Sequence, residues 1–232
     1  MALLTYEYRI SDADFEFFKH LFDIKTIGRK KMIMGHFATA LVPLSHAKEI
    51  DTKTALTLLV ASQFLDFIMF VLVMLGVEQL IPANFFDSSF ANLAAKMPIT
   101  HDVLPVIGWS VLLGITVFLV MRSKFLALAS VALVLVHEIC DLIVGFPHNI
   151  NGPNTMEVGL ALYNHAPILG LILEIALCLF CIWYFVTKTK NTDKELTQPA
   201  LIKLSVILIG VTLILMLQSY QSINEVIASL NL

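Results

Sequence analysis

Apolar residues along this chain collect into long unbroken runs instead of alternating with polar ones. The runs cover approximately residues 32 to 47, 54 to 76, 102 to 121, 125 to 145, 166 to 187 and 200 to 218. A helix of about 20 residues crosses roughly 30 Å of hydrocarbon, so most of these segments have membrane length. The pattern predicts an all-α fold, a polytopic membrane bundle of about six transmembrane helices. The first run is the shortest. Its 32 to 47 stretch reaches only about 24 Å at 1.5 Å per residue and contains Pro43, His36 and His46, which suits a short, tilted or re-entrant piece.

The intervening stretches divide the chain further. Residues 1 to 31 mix acidic and basic positions with the aromatic-rich Phe15, Phe17, Phe18 and Phe22, which predicts an interfacial amphipathic extension. They do not resemble a secretory signal, because no apolar core follows closely behind the N-terminus. Residues 32 to 218 form the expected membrane domain, and 219 to 232 a polar tail. Two longer excursions, 77 to 101 and 146 to 165, are rich in Pro, Asn, Asp and Gly and read as irregular loops. Lys48, Lys53, Arg122, Lys124, Lys188, Lys190, Lys194 and Lys203 sit in the short connections, whereas the excursions and tail carry only Lys96. The distribution of basic residues therefore predicts cytoplasmic short loops and outward-facing excursions, with Arg29, Lys30 and Lys31 running against it.

Composition supports the same class. Hydrophobic residues make up 58% and charged residues 14%, against about 25% charge in ordinary soluble domains, and the mean hydropathy is +0.83. A net charge of −3 provides no basic field for nucleic acid. Cys140, Cys178 and Cys181 lie inside apolar runs, where packing is the expected role.

Ionisable groups in hydrocarbon cost several kcal/mol and usually face a cavity or one another. This chain places His36 and His46 in the first run, Asp66 in the second, His101 and Asp102 at the start of the third, His137, Glu138 and Asp141 in the fourth, and Glu174 in the fifth. On a six-span path, all but His46 converge on one half of the membrane. His137 and Asp141 stand one helical turn apart on one face. With His36, Asp66 and His101 from other helices, they compose a mixed His and carboxylate set suited to a divalent ion, zinc or manganese above others. The same residues also suit a proton or ion relay, or a cluster that only stabilises the bundle. The segment His137-Glu138-Ile139-Cys140-Asp141 matches the H-E-x-x-H helix of metalloproteases except at its last position, a weak signal without a further ligand at protease spacing.

The order of short motifs adds a resemblance. It runs Gly35-His36, Leu65-Asp66, Gly76-Val77-Glu78, Pro98-Ile99-Thr100-His101, His137 to Asp141, and Gly159-Leu160-Ala161-Leu162-Tyr163-Asn164, followed by Glu174. Across residues 32 to 187 this resembles the bacterial multi-pass inner-membrane proteins grouped as membrane-bound metal-dependent hydrolases. Thr100-His101-Asp102 replaces that family's S-H-S, and Tyr163 replaces its tryptophan. The resemblance implies His36, Asp66, His101, His137 and Asp141 as metal residues, with Glu78, Asn164 and Glu174 supporting. The expected function is hydrolysis of an ester or phosphoester, plausibly on a lipid-linked substrate reached from the bilayer. Glu174 and Glu78 are the expected proton carriers, since the other acids are taken as ligands. The competing expectation is transport, against which the sequence displays neither an inverted repeat nor paired broken helices.

Overall fold

The protein is described here by a computed structural model covering residues 34–89, 91–192, 194, 202, 206 and 221–229. The extension expected at 1 to 31 and nearly all of the 200 to 218 run lie outside the described residues.

The first apolar run folds as two short helices, α1 (Met34–Thr39) and α2 (Leu41–His46). Pro43 explains the break. In a continuous helix its ring would press on the carbonyl of Thr39, and it has no N–H to donate, so the helix restarts at Leu41 with the proline in its first turn. Neither piece is of membrane length.

The second run is also broken. Helix α3 (Thr52–Ser62) begins at Asp51, whose carboxylate accepts from Thr54 N at 2.7 Å, and α4 (Phe64–Met74) continues after a 60° bend at Gln63. The break in the first run agrees with the short piece expected there, whereas the single span expected over 54 to 76 is corrected at Gln63.

Three helices are long and apolar enough to cross a membrane: α5 (Val103–Met121), α6 (Lys124–Val144) and, later in the chain, Pro167–Thr189. The bent α3–α4 pair makes a fourth if it counts as one span. These helices carry an apolar exterior around a partly polar interior. Leu112, Ile115, Leu128, Leu135, Leu179 and Trp183 are exposed, while Ser110, Ser130, His137, Glu138 and Glu174 are buried. A water-soluble protein reverses that distribution. Helices α5 and α6 form a tight hairpin turned by Arg122, in the left-handed region at φ 52°, and Ser123, which caps α6. Gly114 permits their close approach, since a Cβ there would lie 2.5 Å from Val131 Cγ2.

Beyond the helices, the two excursions pack together at one end. Strands β1 (Gln79–Ile81) and β2 (Ala94–Lys96) pair antiparallel, as do β3 (His148–Asn149) and β4 (Glu157–Val158). A four-residue helix, α7 (Leu162–His165), precedes the Pro167–Thr189 helix, α8. Asp102 stitches the excursions by accepting from Asn149 N at 3.1 Å and from Gly152 N, while Leu104 N donates to Ile150 O at 3.0 Å. A final helix, α9 (Ile223–Ser229), reaches the same end, where Asn224 Nδ2 donates to Asp87 Oδ1 at 2.6 Å. The basic connections lie at the opposite end, where Lys194 Nζ donates to Ala47 O and His46 Nε2 meets Tyr184 Oη at 2.8 Å. Cys178 and Cys181 are free thiols within the apolar core that also includes Leu58, Leu65 and Phe185.

Candidate metal centre

Just inside the loop end, α1, α4, α6 and the turn before α5 each supply a side chain to one buried cluster. His36, Asp66, His101 and His137 are at most 3% exposed, while the Asp141 side chain is 15% exposed. His137 Nε2 lies 3.2 Å from Asp141 Oδ2 and 3.7 Å from Asp66 Oδ2; His101 Nε2 lies 3.6 Å from both Asp141 Oδ2 and Asp66 Oδ1. Donor atoms about 2.1 Å from an ion stand about 3.4 Å apart at the corners of a tetrahedron, so these contacts have the spacing of ligand atoms, and Asp66, His101 and His137 together can hold an ion. His36 Nε2 stands 3.6 Å from the other Asp141 oxygen, and the trio His36, His137 and Asp141 can also hold an ion.

Proton placement favours ligation. The break at Gln63 leaves the Ser62 carbonyl to His137, whose Nδ1–H donates to it at 2.8 Å. A carbonyl only accepts, so in the neutral ring Nε2 keeps its lone pair and faces the two aspartates. At His101 the order is set by Glu78. One Glu78 oxygen accepts from Ile99 N and Thr100 N, both at 2.9 Å, and the other from the Thr100 hydroxyl at 2.7 Å. With its hydrogen committed to Glu78, Thr100 Oγ1 accepts from His101 Nδ1 at 2.8 Å, again leaving Nε2 as the lone pair.

Several buried atoms meet no hydrogen-bond partner among the described residues: both nitrogens of His36, Nε2 of His137 and Oδ2 of Asp66. Unsatisfied buried polar atoms are costly, and a cation in the Asp66, His101 and His137 group satisfies His137 Nε2 and an Asp66 oxygen, while one in the His36, His137 and Asp141 group satisfies one His36 nitrogen and His137 Nε2. The donor set therefore fits a divalent ion.

The remaining expected residues sit around this cluster. Glu78 reaches it through Thr100 and His101 and does not face it directly. Glu174 accepts from the Tyr163 hydroxyl and lies close enough to Asp141, Asp66 and His137 to feel their charges. Tyr163 packs against Gly170, where a Cβ would come within 3.1 Å of its ring. Asn164 ties α7 to the β1–β2 hairpin by donating to Leu93 O at 3.0 Å. His46 stays at the basic end, away from the cluster.

Sequence reasoning passed over His148, which pairs through Nδ1 with Glu138 Oε1 at 3.0 Å and stacks edge-on 5.5 Å from the His101 ring. Burial pulls the His148 pKa down, but the hydrogen bond and charge of Glu138, with Asp141 and Asp102 beyond, outweigh it and hold the group above its ordinary value. It lies in the polar 146–165 excursion, where a histidine does not stand out in the sequence as one does within an apolar run.

No protein-family model, curated protein or solved structure matches this chain.

Proposed function

We propose that this chain is a multi-pass membrane hydrolase, of the bacterial inner membrane, that uses one divalent ion, zinc or manganese, to cleave an ester or phosphoester of a lipid or lipid-linked molecule. The observation that carries the reading is the pair of groups that share His137, one with Asp66 and His101 and the other with His36 and Asp141, in which the His101 and His137 lone pairs face the two carboxylates. The basic connections at one end support cytoplasmic placement there, with the loop end outward.

A divalent ion held by these residues would supply Lewis-acid polarisation of the substrate and would acidify a water. Around it, Glu78 and Ser62 hold the two imidazoles in their ligating tautomer. Glu174 receives the proton, and Tyr163 donates to one of its oxygens. The apolar exterior of α5, α6 and α8 suits a substrate whose acyl part lies in the lipid.

The test is a panel of ester and phosphoester lipids offered to zinc- or manganese-loaded protein in detergent, with Glu174→Gln beside it. The reading expects hydrolysis by the wild type and a loss of about 10²-fold or more in Glu174→Gln at unchanged metal content. Metal-replete wild type that cleaves none of the panel, or a variant of equal activity, would remove hydrolysis from the account.

One observation favours a second reading, ion transport. Broken helices accompany ion sites in transporters, and the α3–α4 break lies beside this cluster, where its Ser62 carbonyl accepts from His137. Ion-dependent uptake of zinc or manganese into proteoliposomes, abolished by Asp66→Asn, would establish it.

A further inference from the structure

Four imidazoles run inward from the loop end in a row. His148 lines a cleft of about 800 Å³ between the β1–β2 hairpin and the 146–165 loops, whose walls also carry Asp102, Glu157 and His165. From His148 the ring centroids step 5.5 Å to His101, 5.8 Å on to His137 and 4.3 Å on to His36. The last three belong to the buried cluster, whereas His148 stands outside both ligand groups that the described residues form.

An ion bound for that cluster has to shed water on the way, and the apolar exterior of the long helices offers nothing in exchange. The cleft does. Glu138 Oε1 accepts from His148 Nδ1 at 3.0 Å, the carboxylate–imidazole arrangement that orients metal-binding histidines and leaves Nε2 as the ligand atom. The other Glu138 oxygen is buried without a hydrogen-bond partner among the described residues. A single imidazole with water around the ion holds it weakly enough to pass it on, and the several ligands further in retain it.

The geometry points to the cleft as the route by which a divalent cation reaches the buried cluster, with His148 as a transfer ligand and Glu138 as the residue that positions it. This inference rests on the reading that the cluster holds an ion. It adds a separate site with a kinetic role.

The experiment follows cobalt(II) by its visible absorption as it enters metal-free, full-length protein in detergent, and then its release to excess chelator. His148→Ala and His148→Gln should each slow uptake and release by the same factor, about tenfold or more, while final stoichiometry and Kd stay at wild-type values. His148→Gln fills much of the same space and keeps the loop folded, as the melting curve verifies. Uptake at the wild-type rate in both variants would show that ions arrive elsewhere and overturn the inference, leaving the metal centre intact. A weakened Kd or lost stoichiometry would make His148 a retaining ligand, and also overturns it. Wild-type protein that takes up no cobalt removes the centre and the route together.

Discussion

His137 Nδ1 donates to the carbonyl of Ser62 at 2.8 Å, at the point where the 52–74 helical stretch bends by 60°. The bend and the ligand orientation are thus one feature. A histidine on α6 receives its tautomer from a backbone group made available by the bend between α3 and α4.

The corresponding device at His101 depends on a side chain and is open to mutation. In Glu78→Gln the amide retains one acceptor oxygen for the Ile99–Thr100 turn, but its NH₂ donates to Thr100 Oγ1. The hydroxyl hydrogen then turns to His101 Nδ1, which moves the ring proton to Nε2 and blocks ligation. Metal affinity should fall by about 10–100-fold while the helical content is retained. Competition against a chelator of known affinity measures this, and equal affinities in variant and wild type would remove Glu78 from the centre.

Tyr163→Phe removes the hydroxyl that donates to Glu174 and leaves the aromatic packing against Gly170. Metal content should stay constant while turnover on any cleaved ester falls, because Glu174 loses the contact that fixes one of its oxygens. A fall in bound metal equal to the fall in turnover would place Tyr163 in ion retention instead.

Much of the membrane architecture was legible in the chain. Length and hydropathy alone located α5, α6 and α8, and Pro43 signalled a defect in the first run. The Gln63 bend was not legible. The flanking residues Leu58 to Met74 contain neither Pro nor Gly, and the carbonyl at the bend is used by a histidine 75 positions away. Glu78 poses the same difficulty: its partners Ile99 and Thr100 are brought to it by tertiary folding of the excursion. Strands of two or three residues leave no period to detect. His148 was hidden for another reason, since a histidine in a polar loop is unremarkable until Glu138 is placed beside it.

Helix packing provides an independent check on the fold. At Gly114 a methyl group meets the stiff, branched Val131 at 2.5 Å, with Ala127 O at 3.5 Å, so Gly114→Ala should force α5 and α6 apart. The expected destabilisation is about 1–3 kcal/mol, measured by reversible unfolding in detergent. An unchanged unfolding midpoint would contradict the close crossing at this position.

Topology is tested by labelling single cysteines from outside intact cells after replacing Cys140, Cys178 and Cys181. Ser88→Cys and Asn151→Cys at the loop end should react, whereas Ser123→Cys and Asn191→Cys at the basic end should not. The reverse pattern would invert the proposed orientation and place the cleft on the cytoplasmic side.

The central claim is that the buried cluster holds a metal ion, and metal content tests it most directly. Full-length protein purified gently, supplemented with zinc or manganese and freed of loose ions should retain about one ion per chain by elemental mass spectrometry. The His137→Ala, Asp141→Ala double variant, folded by the same melting criterion, should retain almost none, since it lacks the histidine that both ligand groups share and one carboxylate besides. Wild-type protein without bound metal, or a double variant that retains as much as the wild type, would contradict the account.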